Sequence, residues 1–438
     1  MRILFSFLFF FLLFTLIFIP SPSLAIGYAV PVSKDSTTQL YFITVSMKTP
    51  LQRTYLHLDL GGRFTWLDCQ KNYTSNSYKH LPCNSPVCLA FGHNYACSNC
   101  FKPPGPTCAN NTCGTFPENF VIRKSYISIA IVDTLQLSTS DGSTLGKPRT
   151  INNFVFSCAP SFLRKGLAKK TLGVVALGTD NFSLPLQVSR AFHAPKYFAL
   201  CLPSSTSSPG VAFLGSSGPY RLLPQETDLS KLLLYTPLLP NPISDSLVYS
   251  VLPSPEYFIG LTSLKVNDKP VPINVTLLTI NQDGIGGTKL STNTPYTLLE
   301  SSIYKALTDA FVKEFRAPNL TVTKAVKTFG FCYSANQIPV TRVGPAVPTI
   351  DLVMQSESVF WRIFGANSMV WYSKGEVNAW CLGFLDGGVG MRASVVIGGH
   401  QMEDNLLQFD LVSKRLGLSS SLLFGSTTCS NFNFTTTK

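Results

Sequence analysis

Apolar and polar residues alternate in short runs through most of the chain. Residues 39–45, 54–60 and 64–68 follow a period of two, with turn-forming Pro50 and Gly61-Gly62 between them, which predicts three consecutive strands. The same pattern resumes over 119–137, 154–158 and 173–178. Residues 197–201 and 210–215 read as a hairpin. Later strands are expected at 257–261, 264–266, 350–353, 368–372, 379–384 and 395–397. Only two segments carry a helical period. Residues 184–192 have Pro185 in the first turn, where its missing N–H is harmless. Residues 302–315 place Ile303, Ala306, Leu307, Ala310 and Phe311 on one face, with Ser301 or Ser302 available as cap. The Pro-rich stretch from Pro219 to Pro255 breaks the strand pattern and predicts a link between two halves.

Composition agrees. Of 438 residues, 45% are hydrophobic and 13% charged, with 30 Gly and 30 Pro, which argues against coiled coil and disorder and for an all-β chain rich in turns. Met1-Arg2 precedes an apolar run from Ile3 to Ile19, then Pro20, Pro22 and Ser23-Leu24-Ala25. Residues 1–25 read as a signal peptide, with an uncleaved anchor as the alternative. No later run is long enough to span a bilayer, so no stable membrane insertion is expected once the leader is cut.

The twelve cysteines are Cys69, Cys83, Cys88, Cys97, Cys100, Cys108, Cys113, Cys158, Cys201, Cys332, Cys381 and Cys429. An even number in an exported chain predicts six disulfides. Seven fall within 69–113, read as a disulfide-held, loop-rich insert. Cys97-x2-Cys100 with Cys108-x4-Cys113 has zinc-like spacing, but disulfides are favoured in this compartment; no metal and no cofactor are expected. Glycosylation sequons stand at Asn72, Asn110, Asn181, Asn274, Asn319 and Asn433. The formal charge is +12, falling to +11 without Arg2. Outside a cell that suits an acidic polysaccharide or an acidic protein; with the basic residues scattered, nucleic acid is not expected.

Two stretches organise the candidate chemistry. One is Leu58-Asp59-Leu60-Gly61-Gly62, followed by Arg63-Phe64-Thr65-Trp66. The other is Lys289-Leu290-Ser291-Thr292-Asn293-Thr294-Pro295-Tyr296-Thr297. About a hundred residues after each comes an apolar-apolar-Gly element, 174–178 and 395–398. His57, inside a strand, reads as a packing or surface residue. The Asp-Gly pairs at Asp283 and Asp386 read as turns. Together with the block from Gly398 to Gly417, these stretches resemble pepsin-like aspartic proteases of plants. Gly286 to Thr297 is similar to a narrower group, the extracellular dermal glycoproteins and xyloglucan-specific endoglucanase inhibitors, related to cereal xylanase inhibitors and basic 7S globulins.

The resemblance implies an all-β, bilobal pepsin-like fold. It places the N-terminal lobe at 26–225, the interlobe crossover at 226–255 and the C-terminal lobe at 256–438. Asp59 and Ser291 fall at the two catalytic positions, and serine cannot replace the second carboxylate of a proton-sharing pair. Leu60 also stands where that motif has a hydroxyl, and the flap region near Tyr126 lacks the expected Tyr-Gly. Asp59 is then a leftover carboxylate satisfied by loop amides. The resemblance further implies a non-catalytic inhibitor of microbial endoglucanase or xylanase, secreted to the apoplast or cell wall, with Arg342 and Arg392 on its inhibitory loops. It suggests the pairings Cys69–Cys158, Cys201–Cys429 and Cys332–Cys381. Open alternatives are a 7S-like storage or peptide-binding protein, a pectin-binding wall protein, and a residual protease.

Overall fold

The computed structural model describes residues 27–71, 73–92, 95–315 and 326–436. The leader at 1–25 and the sequons at Asn72 and Asn319 lie outside the described residues. Strands dominate, as the alternation requires. The two helical segments form at Leu184–Phe192 and Ser301–Glu314.

The two halves repeat one topology. Strand Gln52–Asp59 runs parallel to Gly173–Ala176, with Asp59 opposite Ala176, and Gly173–Ala176 also pairs antiparallel with Trp66–Asp68. In the second half Thr288–Leu290 runs parallel to Val395–Ile397, which pairs antiparallel with Thr297–Leu299. Each late apolar-apolar-Gly strand therefore slots between the two strands flanking a loop and aims that loop inward. The near-continuous apolar character of these short strands follows from burial on both faces.

An antiparallel ribbon joins the halves. Its order is Gly27–Lys34, Gly210–Leu214, Tyr197–Cys201, Leu406–Asp410, Arg415–Leu418 and Leu234–Leu239. Phe198 and Phe409 stack across it with ring centroids 4.4 Å apart. The disulfide Cys201–Cys429 ties the C-terminal segment to the first half.

Six disulfides form: Cys69–Cys158, Cys83–Cys97, Cys88–Cys113, Cys100–Cys108, Cys201–Cys429 and Cys332–Cys381. Three of them lie wholly within 69–113. Among the described residues no helix is long and apolar enough to cross a membrane.

One local expectation is corrected. Neither Ser301 nor Ser302 caps the second helix. Glu300 does, its carboxylate accepting from the Ser302 and Ile303 N–H groups. A carboxylate there satisfies two orphan donors and opposes the positive end of the helix. Glu300→Ala should cost about 1 kcal/mol, read as a lower urea midpoint at unchanged slope.

Candidate functional site

The two inward loops meet at the centre of the molecule. Thr292 bridges them: its hydroxyl donates to the Leu58 carbonyl at 2.6 Å and accepts the Leu60 N–H at 2.9 Å. The reciprocal bridge is absent because Leu60 has no hydroxyl and is fully buried instead. The apolar side chain keeps the packing and removes half of the crossed hydrogen bonding.

Asp59 is almost fully buried. Its Oδ1 accepts from the Gly61 N–H at 3.1 Å and from Asn293 Nδ2 at 2.9 Å. The loop amide was expected; the Asn293 side chain was not. Asn293 Oδ1 in turn lies 2.9 Å from His57 Nε2. Because the Asn293 amide nitrogen is committed to Asp59, its oxygen accepts here, and His57 carries its proton on Nε2. His57, read from sequence as an ordinary packing or surface residue, is thus the far end of a buried His57–Asn293–Asp59 chain. Its Nδ1 is buried without a partner.

Burial sets the charges. It pushes the Asp59 carboxyl up to about 7; hydrogen bonding from Asn293 works against this, while Glu256 nearby adds to it. Burial also pulls His57 down to about 4, against the pull of its bond to Asn293. Both groups are therefore held toward their neutral forms.

Ser291, the position opposite Asp59 in the repeat, does not supply the contact to Asp59. Its Oγ accepts the Asn293 N–H at 3.2 Å. Glu256, whose charge acts on Asp59, is paired with Lys289 at 2.6 Å. Burial lowers Lys289, but Glu256 and Asp245 outweigh it and hold the ammonium above its ordinary value. Asp386 ends a strand, yet it accepts from Ser301 Oγ and the Gly388 N–H.

The cleft above Asp59 is filled by the chain itself. The occupant is 241–256, within the stretch expected to be only a link. Tyr249 is buried between Phe64 and Phe116, with ring centroids 6.3 and 6.1 Å away, and lies under the Arg63 guanidinium at 5.4 Å. Its hydroxyl accepts the Phe116 N–H at 3.1 Å. Glu118 accepts from Ser246 Oγ at 2.6 Å and from the Leu247 N–H at 2.7 Å. Arg63 donates to the Pro253 carbonyl at 2.9 Å, and the Thr179 N–H to the Pro255 carbonyl at 3.0 Å. On the second half, Asn241 donates to the Gly284 carbonyl at 3.0 Å. The void lined by Asp59, Arg63, Glu118 and Tyr249 is about 10 Å³, at the lower limit of what one water occupies. Tyr126 points elsewhere, half exposed against Phe162.

Sequence alternation could not find this strap, because 241–256 is irregular. The signals that bore on it were its length and Tyr249, a large aromatic inside an otherwise loop-like run.

Among the described residues neither candidate arginine contacts Asp59, and the two share no partner. Arg342 sits at the tip of a two-strand hairpin, Val340–Thr341 with Gly344–Pro345. Thr341 Oγ1 donates to the Gly344 carbonyl at 2.7 Å, and the Ala366 N–H donates to the Val343 carbonyl at 2.7 Å. Gly344 has φ +94°, and a Cβ there would stand 2.1 Å from the Ala366 nitrogen, so glycine is required for this seating. The Arg342 guanidinium is exposed and donates only to the Phe424 carbonyl at 3.3 Å among the described residues. Arg392 is more engaged. It donates to the Asp283 carbonyl at 3.3 Å and stands 3.9 Å from Asp245 of the strap.

Comparison with known proteins agrees with this architecture. Residues 41–216 match the family described as xylanase inhibitor N-terminal, and residues 256–420 match xylanase inhibitor C-terminal. The chain is 49% identical to the probable aspartic proteinase GIP2 of Nicotiana benthamiana, over 93% of this chain and 92% of that one. It is 33% identical to basic 7S globulin of Glycine max, over 90% and 88% of the two chains. The crystal structure of edgp superposes with a TM-score of 0.90 at 48% identity, covering 95% of this chain and all of that one. With a pepsin-like fold in two repeated halves and both halves matched, the chain belongs to the xylanase inhibitor family.

Proposed function

We propose that this chain is a secreted, non-proteolytic inhibitor of microbial cell-wall glycoside hydrolases, xyloglucan-specific endoglucanase or xylanase. The observation that carries the reading is Arg342: a guanidinium exposed at the tip of a stiff hairpin, with a single backbone contact among the described residues. Glycoside hydrolases hold two carboxylates in a groove. A planar guanidinium pairs bidentately with carboxylate and stays charged at any working pH. A hairpin already fixed by Thr341, Gly344 and Ala366 loses little freedom on binding. Arg392 is the second contact; binding through it requires a partner carboxylate to replace the Asp245 and Asp283 contacts.

Absence of proteolysis rests on Ser291 and on the filled cleft. With one buried carboxylate at Asp59, no second acid shares its proton. Export rests on the 1–25 leader and the six disulfides, with glycans proposed on the exposed sequons Asn110, Asn181 and Asn274. Likeness to basic 7S globulin and gamma conglutin favours a second reading as a storage or peptide-binding protein.

Residual activity of xyloglucanase and xylanase, measured with micromolar mature protein, separates the two. Inhibition of one enzyme is expected, with Arg342→Ala weakening it at least about 30-fold, the loss of roughly 2 kcal/mol or more for a desolvated charge pair. No inhibition of either hydrolase would sink the inhibitor reading. Full inhibition by the Arg342→Ala/Arg392→Ala double variant would sink the arginine assignment alone.

A further inference from the structure

The strap has two faces. Its inner face carries Tyr249, Ser246 and the Leu247 N–H into the cleft. Its outer face has the wrong polarity for a solvated loop. Val251 is 86% exposed, and Leu247 and Val248 are also exposed. The loops beside it continue the pattern. Ile285 is exposed next to Gly286, whose N–H donates to the Arg392 carbonyl at 2.6 Å. Val389, three residues before Arg392, is 83% exposed.

Five aliphatic side chains therefore stand on segments that adjoin Arg392, and the strap's Asp245 pairs with Arg123 at 3.0 Å and also reaches Lys289 at 3.6 Å and Arg392 at 3.9 Å. Scattered exposed aliphatics need no explanation, but several carried on three segments that touch one another through Asp245, Gly286 and Arg392 point to a contact surface. Apolar side chains on the loops beside a charged group can shield its ion pair with a partner from water, which strengthens a hot spot.

We propose that the outer face of 244–252, with Ile285 and Val389, is the apolar part of a docking surface around Arg392. Its partner is a protein whose groove carries carboxylates between apolar walls. This rests on the inhibitor reading and extends it: the segment that closes the old cleft also forms part of the new interface. Charge complementarity selects the partner: the chain is strongly basic, and the loops that hold Arg392 also expose aliphatic side chains that a polysaccharide chain would not desolvate.

The test uses the full mature protein and a hydrolase that the wild type inhibits. Leu247→Asp, Val251→Asp and their double variant are compared with Phe101→Asp. Phe101 is fully exposed on the disulfide-closed loop Cys100–Cys108 and serves as the control. The three side chains point outward, so thermal midpoints should not move. Dissociation constants should rise about tenfold or more for each strap variant, further for the double, and stay unchanged for Phe101→Asp. Wild-type affinity in the double variant would overturn the docking surface while leaving the inhibitor reading intact. If the strap variants keep hydrolase affinity but lose retention on an acidic polysaccharide column, the surface has the wrong partner. If the wild type inhibits no hydrolase, both readings fall together.

Discussion

Asp59→Asn will stabilise the protein, and the gain will grow with pH. The folded Asp59 carboxyl is pushed up to about 7 by burial, whereas an unfolded aspartate titrates near ~3.9. Between those values the folded state binds the extra proton, so stability falls as pH rises. Above pH ~7 the deficit levels off at roughly 4 kcal/mol, the free-energy equivalent of the gap between the folded and unfolded values. Asparagine never ionises, and its Oδ1 can still accept from Gly61 and Asn293. His57 acts in the opposite sense. Its folded value of about 4 lies below the unfolded ~6.5, so the folded state lacks a proton that the unfolded state binds. Stability from His57 is therefore lost as pH falls from ~6.5 to ~4. In the wild type the two slopes oppose each other over that window and the profile is shallow. In Asp59→Asn the His57 slope stands alone, so the thermal midpoint should climb from pH 4 to 6.5 and exceed the wild type most at pH 8. A difference between the two proteins that is constant from pH 4 to 8 would mean that Asp59 is not held neutral by burial.

How much of this was legible in the chain varied with the kind of signal. Regular elements buried on one or two faces announced themselves. The helix at Leu184–Phe192 and the strands Tyr197–Cys201 and Val395–Ile397 fall where the pattern put them. Their periodicity is the direct consequence of which side chains must face the core. The long strand Leu145–Ala159 was legible only at its buried end, because 146–150 is polar or exposed and carries Pro148. Strand Val359–Ile363 was missed because a five-residue alternating run containing Arg362 looks like a loop; Arg362 is held there by Asp351. The loops with Asp59 and Ser291 could be found by their motif. The Asn293 side chain between His57 and Asp59 could not, since the two residues it joins are 236 and 234 positions away. The strap was missed for a different reason: its length and Tyr249 mark the run as unusual, but without periodicity they do not say what it covers.

Ser291→Asp, alone or with Leu60→Thr, will not produce an acid protease. The substitution supplies the missing carboxylate, and two such groups side by side would share a proton in the manner that aspartic proteolysis needs. Two obstacles remain. Asn293 holds Asp59 Oδ1, and the void that Asp59 shares with Arg63, Glu118 and Tyr249 is only about 10 Å³, too small for a peptide segment to reach the pair. The strap is not weakly held. Tyr249 packs on Phe64 and Phe116, Arg63 caps its ring, and Glu118 takes two hydrogen bonds from Ser246 and Leu247. Tyr249→Ala alone should cost on the order of 3–5 kcal/mol, the loss typical of a large aromatic removed from a packed site. That loss is read as a lower denaturation midpoint. Cleavage of a denatured protein substrate at acidic pH distinguishes the obstacles. No activity is expected from Ser291→Asp or Ser291→Asp/Leu60→Thr. If activity emerges only when Tyr249→Ala is added, the strap is the second lock. Acid-stimulated cleavage by Ser291→Asp alone, abolished by Asp59→Asn, would show that the strap leaves the cleft freely and that the serine was the only barrier.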